Sequence, residues 1–176
     1  MTHHLPEIVF LDLEASSLAV DGWPIEIGVS WIDETGELVT WSSLIRPHGT
    51  WAHAAWSDES EAVHGIARSD LSQAPAAEDV AREAQDMFAG RLMLSDAPAF
   101  DGRWLDTLQA TAGFERETPI LDFDAVAMRS FEGDTLDALY TSLTRRRAPH
   151  RAGPDSRRLA RAWLRGLQAE AGNSLF

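Results

Sequence analysis

Acidic side chains occur at three separated places in this chain, and each lies beside apolar residues. A carboxylate charge in apolar surroundings is costly unless a cation or hydrogen bonds compensate it. A histidine that could move a proton precedes the last acid. The set comprises Asp12, Glu14, Asp101, His150 and Asp155. Bound divalent metal ions are the simplest explanation of this pattern, and carboxylates around such ions are typical of metal-assisted hydrolysis.

The first acidic pair follows a short apolar run from Ile8 to Leu13, which predicts a buried strand. Alternate residues of a strand point to the same face, so Asp12 and Glu14 would project side by side. Two carboxylates that close repel each other unless a cation lies between them. Oxygen ligands favour Mg²⁺ or Mn²⁺, and the chain has no cysteine to offer a thiolate. A strand end that runs into solvent is the alternative interpretation.

The second acid follows a strand predicted at Arg91–Ser95 and a loop at residues 96–99. The spacing of Trp104, Leu105 and Leu108 predicts a helix from Phe100 to Ala112. Asp101 would therefore lie in the first turn of a helix at the end of a strand, where ligands collect in α/β sheets. Capping of the helix is the alternative role for this aspartate.

The last acid and the histidine lie around Gly153-Pro154, which predicts the start of a helix. Asp155 would occupy its first turn, with His150 in the preceding loop. Histidine titrates near ~6.5 when unperturbed, which suits a general base. The alternative is a surface histidine and another capping aspartate. The buried face of this helix is predicted to carry Leu159, Trp163 and Leu167.

In their order and surroundings, Asp12-x-Glu14, Phe100-Asp101 and His150 with Asp155 resemble the three motifs of the DEDDh 3′–5′ exonucleases. That superfamily includes the proofreading subunit of bacterial DNA polymerase III, ribonuclease T and oligoribonuclease. Two further stretches agree with it, namely Ile25-Glu-Ile-Gly28 and Val63-His-Gly-Ile66. The resemblance extends over about residues 7–167, nearly the whole chain.

The resemblance implies a ribonuclease H-like fold and a two-metal exonuclease. Two Mg²⁺ or Mn²⁺ ions would be held by Asp12, Glu14, Asp101 and Asp155, and His150 would be the general base. The substrate would be DNA or RNA with a free 3′ end, single-stranded or short, and the products nucleoside 5′-monophosphates. A homodimer is also possible, since dimers occur among relatives. Substrate contacts are expected from Ala15, Ser16, Leu18, His64 and Phe100.

The chain departs from the family pattern at positions that contact substrate. Ala15-Ser16-Ser17-Leu18 replaces the usual Thr-Thr-Gly or Met-Thr-Gly, and Ala97 stands where many members have asparagine. These changes spare the acids and the histidine, so the expected chemistry is unaffected. They leave the substrate class open. A catalytically inert module that binds nucleic-acid ends is the alternative function. A HAD-type phosphatase is less suitable, since it needs a second Asp in the first motif and a downstream Lys, which this chain lacks.

The remaining pattern predicts an α/β fold with a mixed five-stranded sheet and helices on both faces, in a single domain over residues 1–176. An antiparallel hairpin follows the first strand, and strands then alternate with helices. The predicted strands are Ile25–Ile32, Leu38–Ile45 and Pro119–Phe123. The predicted helices are Glu61–Ile66, Ala77–Phe88 and Leu136–Arg146.

The composition limits the partners. The net charge of −13 argues against broad non-specific binding to nucleic acid, but residues 145–176 hold eight Arg against two acidic residues. These arginines either contact phosphates near His150 or form a solvated helix face. No segment has the length of a membrane span, and the N-terminus lacks the features of a signal peptide, so a cytoplasmic location is expected.

Three tryptophans, Trp23, Trp51 and Trp56, fall in predicted loops. Base stacking is one role for such residues, worth about 1–3 kcal/mol per base. Packing in the core is the commoner role. Trp56 has the stronger claim to stacking because it precedes the Val63-His-Gly-Ile66 stretch.

Overall fold

The computed structural model describes residues 7–145 and 149–173. Its five strands are β1 (Ile8–Ala15), β2 (Pro24–Ile32), β3 (Leu38–Leu44), β4 (Leu92–Ser95) and β5 (Ile120–Asp122). They form one sheet in the order β3-β2-β1-β4-β5. Strand β1 pairs antiparallel with β2 and parallel with β4, so the sheet is mixed as predicted.

Six α-helices accompany the sheet, and a 3-10 helix that the sequence pattern did not predict occupies Arg68–Gln73. The helices are α1 (Asp58–His64), α2 (Ala77–Phe88), α3 (Pro98–Ala110), α4 (Phe123–Ser130), α5 (Gly133–Thr144) and α6 (Ala152–Asn173). Helix α1 begins three residues before its predicted start because the Ser57 hydroxyl caps it, accepting from the Ser60 N–H. It ends at Gly65, whose φ of 67° favours glycine.

Helix α4 was not predicted, since the sequence pattern assigned a strand as far as Phe123 and no element to residues 124–130. The strand ends at Asp122, and this residue caps the next helix by accepting from the Ala125 N–H at 2.8 Å. Helix α5 begins at Gly133, three residues before its predicted start, with a capping box between Glu132 and Thr135. Its predicted end at Arg146 lies outside the described residues.

The core has a layer on each face of the sheet, which confirms the prediction of helices on both sides. Alternate residues of β1 explain the division. Val9, Leu11 and Leu13 pack with α2 and α3, whereas Phe10 packs against α4, α5 and α6. Asp12 and Glu14 have the same parity as Phe10 and point to the α6 face. The prediction for Leu167 was wrong, since it is exposed, although Leu159 and Trp163 of the same helix are buried.

The first turn of α6 lies directly on β2, and Gly28 makes this approach possible. A Cβ atom at this position would lie 2.1 Å from the Ala152 carbonyl oxygen and 2.4 Å from the Gly153 nitrogen. Gly28 is opposite Asp12 in the β1–β2 register. The glycine therefore brings the start of α6 next to the first acidic pair.

In the described part of the chain, every helix is too short or too polar to span a membrane. Residues 1–6, where the absence of a signal peptide was predicted, lie outside the described residues.

Candidate active site

The acids predicted from the sequence come together where β1, β4 and α6 meet. Asp12, Glu14 and Asp155 each place a carboxylate oxygen within 4.8 Å of the other two. Strand β1 contributes the first two from one face, and the first turn of α6 contributes Asp155, which is buried. Three carboxylates this close can serve as ligands of one divalent ion.

A second acidic group shares Asp12 with the first. Asp12, Asp96 and Asp101 also have carboxylate oxygens within 4.8 Å of one another. Asp101 lies in the first turn of α3, as predicted, and Asp96 lies in the loop between β4 and α3. The sequence pattern gave no role to Asp96, although an acid directly after a buried strand is a signal that could have indicated one.

Hydrogen bonds hold the buried Asp101 carboxylate in place. The Leu13 N–H donates to Oδ1 at 3.0 Å, and the Ser95 hydroxyl donates to Oδ2 in a short bond. The Ser95 oxygen in turn accepts from the Ala97 N–H at 2.8 Å. Asp101 is thus fixed by strand β1, by the end of β4 and by the start of α3 together.

The segment that carries His150 is anchored through the residue that follows it. The Arg151 N–H donates to Oδ2 of Asp155 at 3.1 Å, and the Asp155 N–H donates to the Arg151 carbonyl at 2.9 Å. The Arg151 guanidinium is bound by Glu26, which is buried in strand β2. His150 itself is exposed and has a φ of 53°. A left-handed backbone at a histidine is uncommon and often marks a functional position.

The electrostatics of the cluster oppose its full ionisation. Burial, with repulsion from Asp155 and other acids, raises the pKa of Glu14 to about 8. Burial raises the pKa of Asp101 to about 7, against the lowering effect of its hydrogen bonds from Ser95 and Leu13. Burial and the neighbouring acids also raise the pKa of Asp12 well above its usual range. A bound cation would relieve this repulsion.

The donor set fits the divalent metal ions that the fold family implies. It consists of carboxylate oxygens alone, which suits Mg²⁺ or Mn²⁺. Among the described residues, the buried Oδ2 atom of Asp12 has no hydrogen-bond partner. A buried carboxylate oxygen without a partner is costly. Asp12 belongs to both acidic groups, so its carboxylate could serve as a ligand of an ion bound at either group.

An arginine links the two acidic groups, and sequence reasoning assigned it no individual role. Arg158, one turn after Asp155 on α6, donates to Oδ2 of Asp96 at 3.1 Å. Its Nε atom also lies 3.4 Å from Oδ1 of Asp155. The side chain therefore spans the cluster from α6 to the β4–α3 loop.

A cavity of about 630 Å³ opens beside Glu14. Its wall includes three residues predicted to contact substrate, namely Ala15, Leu18 and His64. Leu18 is 67% exposed, so its apolar side chain is available to a ligand. The His64 Nδ1 atom accepts from the Ile66 N–H at 3.0 Å, which leaves Nε2 to carry the proton of the neutral ring.

Three polar atoms of the residues that line this cavity are buried and have no hydrogen-bond partner among the described residues. They are Ser17 Oγ, His64 Nε2 and Trp104 Nε1. Trp104 was expected only as a core residue from its helical spacing. A buried donor without a partner costs about 1–3 kcal/mol, so each of these atoms would gain from a polar partner once a shift of the cavity wall exposed it.

Two of the predicted substrate contacts, Ser16 and Phe100, do not line this cavity. Ser16 is fully buried, its N–H donates to the Trp23 carbonyl at 2.9 Å, and its hydroxyl accepts from the Trp23 N–H at 3.1 Å. It therefore supports the loop after β1, and its side chain lies away from the cavity lining. Phe100 lies outside the cavity lining, is 41% exposed and packs on Trp104.

The loop tryptophans form an aromatic cluster behind the cavity. Trp23 is buried, stacks on Trp51 at 5.9 Å between ring centroids and contacts Trp56 at 5.8 Å. Trp56 lines the cavity, but its indole N–H donates to Glu61 and its ring meets the edge of His64. Trp23 is therefore a core residue, and of the three only Trp51 and Trp56 are partly accessible.

A ribonuclease H-like sheet with carboxylates converging at the ends of β1 and β4 defines the class of this protein. Residues 9–163 match the model of the RNase_T family, described as Exonuclease. The chain belongs to this exonuclease family, and the DEDDh resemblance is confirmed.

A curated relative is the DNA polymerase III subunit epsilon-like protein of Rhodobacter capsulatus, which is 33% identical over 116 residues. That match covers 62% of this chain and 16% of the relative, so the two proteins share only a small part of the relative's length.

Solved structures show the same fold. The zinc-bound complex of Escherichia coli exonuclease I with single-stranded DNA has a TM-score of 0.66 at 12% identity, covering 98% of this chain and 43% of that one. A 3′-exonuclease that recognises the 3′ end of a histone mRNA stem-loop has a TM-score of 0.67 at 18% identity, covering 94% and 65%. At these identities the likeness concerns the fold.

Proposed function

We propose that this protein is a metal-dependent 3′–5′ exonuclease that removes nucleoside 5′-monophosphates from single-stranded or short DNA or RNA. The observation that carries the proposal is the position of Asp12 in two groups of converging carboxylates beside the cavity at Glu14. Membership of the exonuclease family supports it, as do the nucleic acids bound by the structural neighbours.

The metal ligands in this proposal are Asp12, Glu14, Asp101 and Asp155, holding two Mg²⁺ or Mn²⁺ ions. When bound, the ions would act as Lewis acids that favour deprotonation of water and stabilise negative charge on phosphate oxygens. Asp96 adds a fifth carboxylate beside Asp12 and Asp101. Its ion pair with Arg158 neutralises part of the charge that this extra acid brings.

His150 is the proposed general base. It lies in an exposed loop just before α6, where a substrate has access to it. Its position relative to the carboxylates is set by the next residue, Arg151, which is bonded to Asp155 and to Glu26. An imidazole held in this way would accept the proton of the water that attacks the terminal phosphodiester.

The cavity beside Glu14 is the proposed site for the 3′-terminal nucleoside. Its volume of about 630 Å³ is in the usual range for small-ligand sites. Leu18 and Trp56 offer apolar surfaces to a base, while the buried N–H groups of His64 and Trp104 would donate to oxygen atoms of the nucleoside if its binding exposed them. A pocket for the terminal nucleoside next to the carboxylates would direct cleavage to the last phosphodiester.

The test is a cleavage assay with 5′-labelled single-stranded DNA, single-stranded RNA and short oligonucleotides in Mg²⁺ or Mn²⁺, resolved by length. The parental protein should shorten them stepwise from the 3′ end and release nucleoside 5′-monophosphates. Asp12→Ala and Asp155→Ala should abolish turnover. Asp79→Ala, an exposed acid on α2, is the matched control and should keep the parental rate.

Two outcomes would contradict the proposal. Parental rates in Asp12→Ala or Asp155→Ala would show that the carboxylate cluster is not the active site. Binding of labelled oligonucleotide without any release of mononucleotide, under every metal tested, would instead support the inert binding module.

A further inference from the structure

A second groove lies between α6 and the edge strand β3, with a volume of about 370 Å³. We call it the basic groove, since three arginines of α6 line it together with two hydroxyls of β3. These residues are Arg157, Arg158, Arg161, Thr40 and Ser42. It shares no lining residue with the cavity beside Glu14.

The basic groove is a positive site on a strongly acidic protein. Residues 1–144 carry 26 acidic residues and seven arginines, whereas residues 145–176 carry eight arginines and two acidic residues. Most of the surface therefore repels a polyanion, and this groove is where its backbone would meet the opposite charge.

The Arg157 guanidinium of the groove is oriented by neutral partners. Arg157 is half-buried, and its Nη1 atom donates to the Leu38 carbonyl at 2.9 Å and to the Thr40 hydroxyl at 3.1 Å. Both partners are neutral oxygens, so they orient the guanidinium without cancelling its charge. A guanidinium held in place loses little freedom on binding a phosphate, which it can meet with paired hydrogen bonds.

The groove reaches the carboxylate cluster through Arg158. This side chain lines the groove and also bonds Asp96 and Asp155. Pro149, which adjoins His150, lines the groove as well. A strand whose last phosphodiester lies at the cluster can therefore continue into the groove without leaving the protein surface.

We propose that the basic groove binds the sugar-phosphate backbone of the substrate strand upstream of the 3′-terminal nucleotide. The inference rests on the proposed exonuclease function and adds the prediction that kcat/KM depends on the length of the substrate strand. A dinucleotide occupies the terminal cavity and the carboxylate cluster. A longer single strand also places phosphates against Arg157 and Arg161.

The experiment compares 5′-labelled dinucleotides with single strands of about twelve nucleotides, a length within the usual range of single-strand binding sites. The double variant Arg157→Ala/Arg161→Ala should lower kcat/KM for the longer strand by about tenfold and leave the dinucleotide unchanged. For the longer strand, the fall of log(kcat/KM) with log salt concentration should become less steep. The change in slope should correspond to about one phosphate contact per lost arginine. Arg82→Ala, an exposed arginine on α2, is the control and should change neither substrate.

A second variant guards against loss of folding through the Arg157 contacts. Arg161→Glu leaves those contacts intact and reverses one charge in the groove, so it should lower kcat/KM for the longer strand more than Arg161→Ala does. An equal loss on both lengths would mean that the variants act through Asp155 or the fold. No loss on either length would mean that the strand does not enter the groove. Both results overturn the inference.

Binding without catalysis separates this inference from the proposed function. Fluorescence anisotropy of the labelled longer strand in EDTA should show weaker binding for Arg161→Glu even if no protein cleaves it. An acidic surface of a second copy of the chain is the alternative occupant of the basic groove. Light scattering measures whether the protein forms the dimer that this contact would produce. A dimer that becomes monomeric on Arg161→Glu, with strand binding unchanged, would overturn the inference in favour of that interface.

Discussion

Glu26 on strand β2 binds both Nε and Nη2 of Arg151, at 2.9 and 2.7 Å. The same carboxylate accepts from the Ala152 N–H at 2.9 Å. Because Arg151 follows His150 and its own N–H donates to Asp155, one buried acid in the sheet sets the position of two residues of the candidate site. Glu26 belongs to the Ile25-Glu-Ile-Gly28 stretch, and these bonds explain an acid within an apolar strand.

Glu26→Ala should lower the cleavage rate at least about tenfold, because the His150 loop and the start of α6 lose their anchor. It should also lower the free energy of unfolding by about 1–3 kcal/mol, the cost of leaving the Ala152 N–H without its partner. Glu26→Gln keeps an acceptor for that N–H and should lose less of both. Rate assays and urea unfolding measure the two effects, with exposed Glu37→Ala as control. Equal behaviour of Glu26→Ala and Glu37→Ala would rule out the anchoring role.

The raised pKa values of the cluster predict how stability depends on pH. The pKa of Glu14 rises from its ordinary 4.5 to about 8, and that of Asp101 from 3.8 to about 7. The folded protein thus keeps protons that the unfolded chain releases, so stability falls as the pH rises from about 4 to about 8. In a chelator, Tm should be lower at pH 8 than at pH 6.

Metal should reverse this trend, because Mg²⁺ or Mn²⁺ binds the ionised carboxylates of the folded state. The gain in Tm on adding Mn²⁺ should therefore be larger at pH 8 than at pH 6. Asp101→Asn should flatten the pH dependence in chelator and reduce the Mn²⁺ effect. A parental Tm that rises with pH in chelator would contradict the electrostatics described for the cluster.

His150→Ala should cut the rate by about 10²–10⁴, the usual contribution of a positioned general base. Mn²⁺ affinity, measured by calorimetry, should barely change because the carboxylates remain.

The backbone of His150 calls for a second variant. At a φ of 53°, asparagine is better tolerated than alanine, so His150→Asn tests the side chain with less backbone strain. It should be as inactive as His150→Ala. The exposed His53→Ala serves as the control. Loss of Mn²⁺ binding in both His150 variants would make His150 a metal ligand, and an unaltered rate and pH profile would exclude it from catalysis.

Trp104→Phe removes the indole N–H group together with part of a buried core side chain. The free energy of unfolding should fall by about 1–3 kcal/mol because the smaller ring leaves a gap in the core, so KM is compared under conditions where the variant stays folded. If Nε1 donates to the terminal nucleoside, KM should rise about threefold to tenfold, the usual worth of a neutral hydrogen bond. Trp41→Phe, on β3, is the control. An unchanged KM for Trp104→Phe would show that this donor does not contact substrate.

The sequence by itself predicted four of the five carboxylates of the candidate site. The two-residue period of β1 places Asp12 and Glu14 on one face, and the first turns of α3 and α6 carry Asp101 and Asp155, as their local patterns predicted. The mixed five-stranded sheet could be predicted for the same reason. Strand periodicity, helix periodicity and turn residues are properties of neighbouring positions.

Only the tertiary structure decided which distant residues meet. Asp96 comes within 4.8 Å of Asp12, and Arg151 binds Glu26. Arg158 of α6 binds Asp96 in the β4–α3 loop. In each of these three pairs, at least 60 positions of the sequence separate the two residues. The burial of Ser16 likewise depends on its pairing with Trp23. These contacts follow from how closely α6 packs on Gly28 and from the register of the sheet, which are set by packing between elements and not by any local pattern.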